Sequence, residues 1–319
     1  MKLAHEPALD GLRALAVLAV IAFHARAPFA LGGARGVDVF FVLSGYLITT
    51  ILSDRKLAVV MFWRRRLVRL MPALVTMVVI ATALMPLLSP QYAAKRWQDA
   101  LLAVTYTMDL PMAVRPWDGP FMHTWSLALE MQFYLIWPFV LPWLARRRPF
   151  LALLALWLAL LVLQWAIGAF TPLTGYYLFH VSGLALGAAL AFMPLAAPPV
   201  LGWGALALIL AGFAVPSIPT AVVEVATATL IAALRGPSLL RVGLSWKPFV
   251  QLGVISYGVY LWHFPIHCAV EHTVWWFRGS VALVGGVALA AASYVLIERP
   301  VTRWLRPRRS TAESTLALQ

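Results

Sequence analysis

The chain has 319 residues, of which 62% are hydrophobic and only 12% charged, and its formal net charge is +13. A soluble domain is nearer half apolar and a quarter charged, and it cannot hide this much apolar surface from water. These values exclude a soluble enzyme and a disordered chain, and the lone Cys268 excludes a disulfide scaffold. They indicate an all-α, polytopic integral membrane bundle with about ten transmembrane helices of about 20 residues each.

Ten apolar runs predict the transmembrane spans, and a short segment at 97–112 is interpreted as a re-entrant or interfacial helix. The spans are predicted at 9–29, 37–52, 67–88, 122–144, 149–170, 176–193, 200–216, 219–235, 250–273 and 280–297. With the N-terminus inside, the inner segments hold 18 basic residues and the outer segments hold six. The positive-inside rule therefore predicts both termini in the cytosol. Most of the net charge is then explained by topology and lipid contact, without a nucleic-acid partner.

The same spans predict the domain organisation. Residues 1–300 form one membrane domain, and residues 301–319 form a basic cytosolic tail that is expected to be disordered.

The first span carries ionisable residues at membrane depth, which are functional candidates because such charges are expensive there. Arg13 and His24 are 11 residues apart, so they share a helix face and differ in height by about 16 Å. That face has a cation toward the cytosol and a titratable base in the outer half of the membrane. The structural alternative is that Arg13 snorkels to the headgroups and His24 hydrogen-bonds a neighbouring helix.

The loop before the third span and the cytosolic end of that span carry Arg65, Arg66 and Arg69. Arginine forks match phosphate oxygens, so these residues are candidates for binding a phosphorylated substrate. The alternative is that these arginines only set the orientation of the protein in the membrane.

Asp38 lies near the start of the second span, and its side chain is expected at the outer end of that span.

Two later spans carry polar stripes. Ser126, Glu130 and Tyr134 follow at steps of four in the fourth span, and His24 is expected at the depth of Glu130. The ninth span carries a stripe expected to face the bundle interior, with a kink at Pro265; its members are Ser256, Tyr260, His263, His267 and Glu271. A structural polar seam is the alternative, and no metal motif is found, since the HExxH glutamate is missing.

Together these motifs resemble the membrane acyltransferase-3 family of the O-antigen acetylase type. The motifs lie in the family's order and run nearly from end to end: Leu9-Asp10-Gly11-Leu12-Arg13 with His24; Gly36-Val37-Asp38 through Leu47-Ile48; Arg65-Arg66 with Arg69 and Pro72; Trp125-Ser126-Leu127 with Glu130, Gln132, Phe133 and Tyr134; Ile255-Ser256-Tyr257 with Tyr260-Leu261-Trp262-His263; and Glu298-Arg299-Pro300. Residues 149–250 match only as apolar helices. Met131 stands where family members often have a second acidic residue.

The resemblance implies an acyltransferase of the bacterial inner (cytoplasmic) membrane. It would move an acyl group, usually acetyl, from cytosolic acyl-CoA to a hydroxyl of a carbohydrate, such as a polysaccharide, or another cell-envelope acceptor. Some members also carry a periplasmic SGNH-type esterase domain. These 319 residues hold none, so the chain is expected to act alone or with a separate periplasmic partner.

Residue roles follow from the resemblance and the stripes. The expected donor-binding residues are Arg13, Arg65, Arg66 and Arg69, and the expected acceptor contacts are Asp38, Trp125, Ser126, Tyr260 and His263. His24 is expected to act as a general base or to carry the acyl group, and Glu130 to orient its imidazole. Acyl-CoA, in particular acetyl-CoA, is expected as a co-substrate, and no metal is expected.

Two alternatives belong to other functional classes. A transporter or flippase for an anionic or lipid-linked sugar would use the same buried charges, although the internal repeats typical of transporters are missing. A catalytically inactive scaffold would not need an intact Arg13, His24 and Glu130.

Overall fold

The computed structural model of the protein describes residues 5–54, 58–114, 117–146, 148–170 and 179–304, and every regular element in these ranges is helical. The helices are α1 Pro7–His24, α2 Gly36–Asp54, α3 Val59–Leu88, α4 Arg96–Val104, α5 Asp109–Val114, α6 Trp125–Leu144, α7 Pro149–Phe170, α8 Ser182–Ala191, α9 Pro199–Ala214, α10 Thr220–Ala233, α11 Leu239–Leu244, α12 Lys247–Val254, α13 Ser256–Ala269, α14 Trp275–Ser293 and α15 Arg299–Trp304. A π-helical turn, Tyr294–Glu298, joins α14 to α15.

Six stretches of the described chain are long and apolar enough to cross a membrane. They are Pro7–His24, Gly33–Ser53, Val59–Leu88, Met122–Leu144, Pro149–Ile167 and Trp275–Trp304. Three shorter apolar helices, α8, α9 and α10, lie between them in sequence. Each of the ten predicted apolar runs contains a helix, so the polytopic helical architecture is confirmed. The number of helices that cross stays a prediction.

Several predicted boundaries were wrong. Helix α3 begins at Val59, so the arginine motif lies within this helix and not in a loop before it. The predicted span 250–273 is broken at Ile255, while Pro265 lies inside α13 without interrupting it. The break lets α12 pack closely on α1, where a Cβ on Gly253 would lie 1.9 Å from the carbonyl oxygen of Asp10.

The segment between α3 and α6 and the C-terminal end also differ from simple spans. Helices α4 and α5 have nine and six residues, so neither can cross a bilayer. Helix α15 continues to Trp304, beyond the domain boundary predicted at residue 300. The rest of the predicted tail lies outside the described residues.

Helices α1 and α2 form the centre of the bundle, because their buried side chains belong to both large hydrophobic cores. One core joins them to α3, α6, α13 and α14, and the other joins them to α9, α10 and α11. Helix α7 lies at the periphery: between residues 149 and 167 only Leu153 and Trp157 are buried, and Trp165 is 77% exposed. An apolar helix exposed in this way is typical of a surface that faces lipid.

Close approach of two backbones fixes α2 against α8. A Cβ on Gly45 would lie 2.1 Å from the carbonyl oxygen of Leu184, and one on Gly187 would lie 2.0 Å from that of Val42. Only glycine permits this spacing, as in many membrane helix pairs. The contact places Ser44 beside the functional residues of α6.

Candidate active site

Four arginines converge on one cavity at the predicted cytosolic end of the bundle. This inner cavity measures about 380 Å³ and is lined by Arg13 of α1 and by Arg65, Arg66 and Arg69 of α3. Asp10 also lines it, at 3.1 Å from the Arg13 guanidinium. Among the described residues, none of the three α3 arginines makes an ion pair, so their charges are available to an anion.

Arg66 is held in place by aromatic rings. Its guanidinium lies 5.6 Å from the ring centres of both Phe62 and Tyr134. Such cation–π contacts orient the group without neutralising it. Arg66 therefore stays a preorganised cation at the boundary between the inner cavity and the space above it.

Glu130 lies on the arginine side of the site, which contradicts its predicted pairing with His24. Its carboxylate accepts hydrogen bonds from Ser44 Oγ and Tyr134 OH. It lines a second, central cavity of about 100 Å³ together with Arg13 and Arg66. The packing of α2 and α6 decides this contact, and no hydrogen bond among the described residues joins Glu130 to His24.

The central cavity extends from the arginines toward Ser126 and Tyr260, which both line it. The two hydroxyl oxygens are 2.8 Å apart, and Tyr260 OH donates to the carbonyl oxygen of His123 at 2.8 Å. Polar side chains thus follow one another along the central cavity, from the arginines of α1 and α3 past Glu130 to the turn that begins α6; we call this set the polar column. Trp125, in contrast, lines neither cavity and packs against Phe41 and His180.

The column ends in a group of histidines around His24, the last residue of α1. The rings of His24 and His263 have centres 5.1 Å apart, and those of His123 and His263 are 5.5 Å apart. His24 Nδ1 lies 3.0 Å from His263 Nε2, so the two predicted site residues are brought together. His267 lies farther along, with its ring 6.2 Å from that of His24.

The backbone determines which nitrogens of this pair carry protons. His263 Nδ1 lies 2.5 Å from the carbonyl oxygen of Tyr260, and a carbonyl can only accept. His263 Nδ1 therefore donates, and the Nε2 of the neutral ring accepts from His24 Nδ1. Both rings are neutral because charging one buried imidazole beside another is costly. His24 Nε2 is left with its lone pair, which is the form that a base or nucleophile needs.

The polar stripe of the ninth predicted span is only partly confirmed. Ser256, Tyr260 and His263 are buried, whereas α13 ends at Ala269 and so does not carry Glu271. Instead, Glu271 accepts a hydrogen bond from Tyr92 at 3.0 Å.

Asp38 does not line either cavity, so its predicted contact with the acceptor is not supported. It is fully buried, and its Oδ1 lies 2.5 Å from His180 Nδ1. Close by, Glu224 accepts hydrogen bonds from Trp157 Nε1 and Ser182 Oγ, each at 2.6 Å. Sequence analysis missed Glu224, although a lone acid in the apolar run 219–235 was the signal that could have identified it.

No group of three or more His, Cys, Asp or Glu side chains is placed to hold a metal ion in the part of the chain that the structure describes.

Comparison with known proteins finds relatives that are named as O-acetyltransferases. The chain is 32% identical to the peptidoglycan O-acetyltransferase OatA of Listeria monocytogenes, over 94% of this chain and 56% of the relative. It is 30% identical to the O-acetyltransferase OatA of Staphylococcus aureus, over 93% and 57%. It is 32% identical to the putative peptidoglycan O-acetyltransferase YrhL of Bacillus subtilis, over 92% and 54%.

The chain therefore spans about half the length of these relatives. No solved structure matches it. The names of the relatives favour the acyltransferase interpretation and give no support to a transporter.

The family model described as an acyltransferase domain matches residues 6–298, nearly the whole chain. The chain belongs to the acyltransferase-3 family of membrane proteins.

Proposed function

We propose that the protein transfers an acetyl group from acetyl-CoA, bound from the cytosolic side, to a hydroxyl of a cell-wall carbohydrate. The observation that carries this proposal is the polar column from the arginine-lined inner cavity to the lone pair of His24. The names of the relatives support acetyl as the group and a wall polymer as the acceptor class.

The inner cavity fits the donor's phosphates. Coenzyme A carries a diphosphate and a ribose phosphate, and arginine forks bind such oxygens in pairs. Arg13, Arg65, Arg66 and Arg69 supply four cations to a cavity within the size range of small-molecule sites. Arginines without acidic partners can neutralise the negative charges of a polyphosphate. An uncharged ligand would not require them.

The central cavity fits the donor's arm. Arg13 and His24 are separated by about 16 Å along α1, a distance that the extended pantetheine arm can cover. Five side chains line both cavities, so the two adjoin each other. Glu130 and Arg66 would line the path, and Ser126 and Tyr260 would meet its far end.

His24 would then perform the chemistry. In a direct route, His24 Nε2 takes the proton of the acceptor hydroxyl while its oxygen attacks the thioester carbonyl. The carbon–sulfur bond breaks, and the thiolate leaves and takes that proton to give free CoA. In a relayed route, Nε2 itself attacks and holds the acetyl group. The acceptor oxygen later displaces it, and the proton released balances the proton taken up by the thiolate.

Two of the predicted acceptor contacts, Ser126 and Tyr260, line the central cavity, and we propose that they meet the acceptor there. Trp125 precedes Ser126 in α6 and lines neither cavity, so its predicted contact with the acceptor stays a prediction. His263 is better placed to position His24 than to touch the acceptor, because its two nitrogens are already engaged.

A test of the proposal uses the full chain in lipid nanodiscs with radiolabelled acetyl-CoA. We expect slow release of free CoA from the wild type, and transfer when soluble peptidoglycan fragments are added. Replacing His24→Asn should lower both rates by about 10²–10⁴-fold while donor binding is kept. His272→Asn is the matched control, because that side chain is 84% exposed and makes no contact with His24 among the described residues.

The same samples separate the two routes. Label on the protein after rapid quenching would support the relay, and its absence the direct route. If His24→Asn keeps more than about a tenth of the wild-type rate, a loss far below the range for a general base, the assignment of His24 is wrong.

A further inference from the structure

A second large cavity adjoins the inner cavity at α3. This side cavity measures about 570 Å³ and is enclosed by α3, the α12–α13 junction, α14 and α15. Arg65 and Arg69 line both the inner and the side cavity. The mechanism above uses these two arginines only from the inner side.

The cationic lining of the side cavity comes from two helices. Arg65 and Arg69 are one turn apart on α3, and Arg299 and Arg303 are one turn apart on α15. Like charges spaced by four residues destabilise a helix, so two such pairs around one cavity oppose folding unless an anion is bound. A topology signal requires basic residues on the inner side but does not require them to converge.

Acidic side chains do not neutralise this lining. In the part of the chain that the structure describes, Glu298 is the one carboxylate that lines the cavity, and it accepts a hydrogen bond from Ser293 at 3.2 Å. Among the described residues, none of the four arginines is in an ion pair. Four cations against one carboxylate leave an excess positive charge that no protein group in these ranges offsets.

An irregular turn of the backbone directs the side chains of α15 that line the cavity. The π-helical turn Tyr294–Glu298 interrupts the regular helix just before Arg299, and such turns are frequent at functional sites because they re-aim the side chains that follow. The Arg299 guanidinium lies 5.8 Å from the ring centre of Tyr294, which orients it. The hydroxyl of Thr302 also lines the cavity.

We propose that the side cavity is a second phosphate-binding site. Its phosphate has two possible sources with the same chemistry: the ribose 3′-phosphate of the CoA donor, or the headgroup of an anionic phospholipid of the inner leaflet. The first source rests on the proposed function, since the diphosphate would occupy the inner cavity across the shared Arg65 and Arg69. The second source does not depend on the proposed function.

The test measures the binding of CoA and of 3′-dephospho-CoA to the full chain in phosphatidylcholine nanodiscs. The variant is Arg299→Ala with Arg303→Ala, and its matched control is Arg146→Ala with Arg148→Ala, two exposed arginines that line neither cavity. If the site holds the donor, the variant binds CoA about tenfold or more weakly, as expected for lost charge-assisted bonds. Its affinity for 3′-dephospho-CoA equals that of the wild type, and the control variant binds both as the wild type does.

A second measurement, with added anionic lipid, tests whether the phosphate belongs to a phospholipid headgroup. Added phosphatidylglycerol should then raise the melting temperature of the wild type and of the control but not that of the variant. Equal behaviour of variant and wild type in both arms overturns the proposal. If the wild type binds no CoA at all, the proposed function fails, and the lipid arm alone decides the side cavity. Should the double variant not fold, the single Arg303→Gln carries the same comparison.

Discussion

At the scale of single residues, the two side chains predicted to be catalytic each contact a neighbour on another helix. Ser44 of α2 donates to Glu130 of α6, and His263 of α13 lies 3.0 Å from His24 of α1. His263 is in turn oriented by a backbone carbonyl of its own helix. This order resembles the way a third group fixes the tautomer of a catalytic histidine in hydrolytic triads.

His263 is therefore predicted to be a positioning residue. Replacing His263→Phe keeps a ring in place but removes the acceptor for His24 Nδ1, so His24 can take the wrong tautomer. We expect kcat to fall by about 10²-fold or more while KM for acetyl-CoA is unchanged. Steady-state kinetics in nanodiscs would measure both constants.

His267→Gln provides the control, because His267 lies near His24 but makes no hydrogen bond to it among the described contacts. His263→Gln should restore part of the lost kcat, since its amide oxygen can accept from His24 Nδ1. A raised KM for the acceptor with unchanged kcat would instead show that His263 contacts the acceptor, as predicted from the sequence.

At the scale of helices, close backbone packing decides where the functional side chains lie. Helix α2 approaches α8 through Gly45, and the same stretch of α2 carries Ser44 into the central cavity. Helix α4 is held in a different way, by hydrogen bonds to the buried carboxylate of Asp99. Both kinds of contact can be tested by substitution with a matched control.

Gly45→Ala is expected to destabilise the protein. The added methyl would overlap the carbonyl oxygen of Leu184, and overpacking of this kind costs about 1–3 kcal/mol. Gly204→Ala on α9 meets nothing within 4 Å, so it should be neutral or slightly stabilising. Thermal unfolding in one detergent would compare the two, and equal melting temperatures would show that α2 and α8 can separate freely.

Asp99 fixes α4 to the segment before α6. Its carboxylate is buried and accepts hydrogen bonds from Trp117 Nε1 at 3.1 Å and from the Phe121 amide at 3.4 Å. Burial raises the pKa of Asp99 to about 6. The nearby Asp118 is exposed, and its hydrogen bond from Lys95 lowers its pKa.

These shifts predict opposite dependences of stability on pH. Because the folded-state pKa of Asp99 is raised, its contribution is most favourable below the unfolded pKa and is lost as the pH rises through about 6. The melting temperature of Asp99→Asn relative to wild type should therefore increase between pH 5 and pH 7. Asp118→Asn is the control and should show no such increase, since a lowered pKa stabilises the folded state only at higher pH. A pH-independent difference for Asp99→Asn would show that the carboxylate is not buried as described.

At the scale of the whole molecule, the bundle separates two ends with different chemistry. The arginines of α1, α3 and α15 lie together around the inner and side cavities, and the histidines of α1 and α13 lie at the other end of the polar column. A donor and an acceptor from opposite sides of a membrane could meet through such an arrangement. The orientation of the protein then decides which substrate enters at which end.

The charge distribution predicts ten spans and a cytosolic C-terminus in the bacterial inner membrane. A fluorescent protein fused after residue 319 should fluoresce, and alkaline phosphatase fused at the same place should be inactive. A phosphatase fused after Thr273, between α13 and α14, should be active because this loop is predicted to face the periplasm. An active phosphatase at the C-terminus would show that the number of spans is odd.

The amino-acid sequence was sufficient for features that are local to one helix or to overall composition. The membrane class follows from apolar content, and the common face of Arg13 and His24 follows from helical periodicity alone. The arginine motif could likewise be recognised from its spacing, although the helix that carries it begins earlier than predicted.

Only the tertiary structure decided which side chains meet. His24 and His263 are 239 residues apart in sequence, and Ser44 and Glu130 are 86 apart, so no local pattern links them. Depth along a helix suggested that Glu130 would meet His24, but the rotation and packing of α2 and α6 turn it toward the arginines instead. The buried pairing of Asp38 with His180 and the side cavity have the same origin. Helix packing, which depends on glycine contacts and on the shape of the whole core, sets these distances.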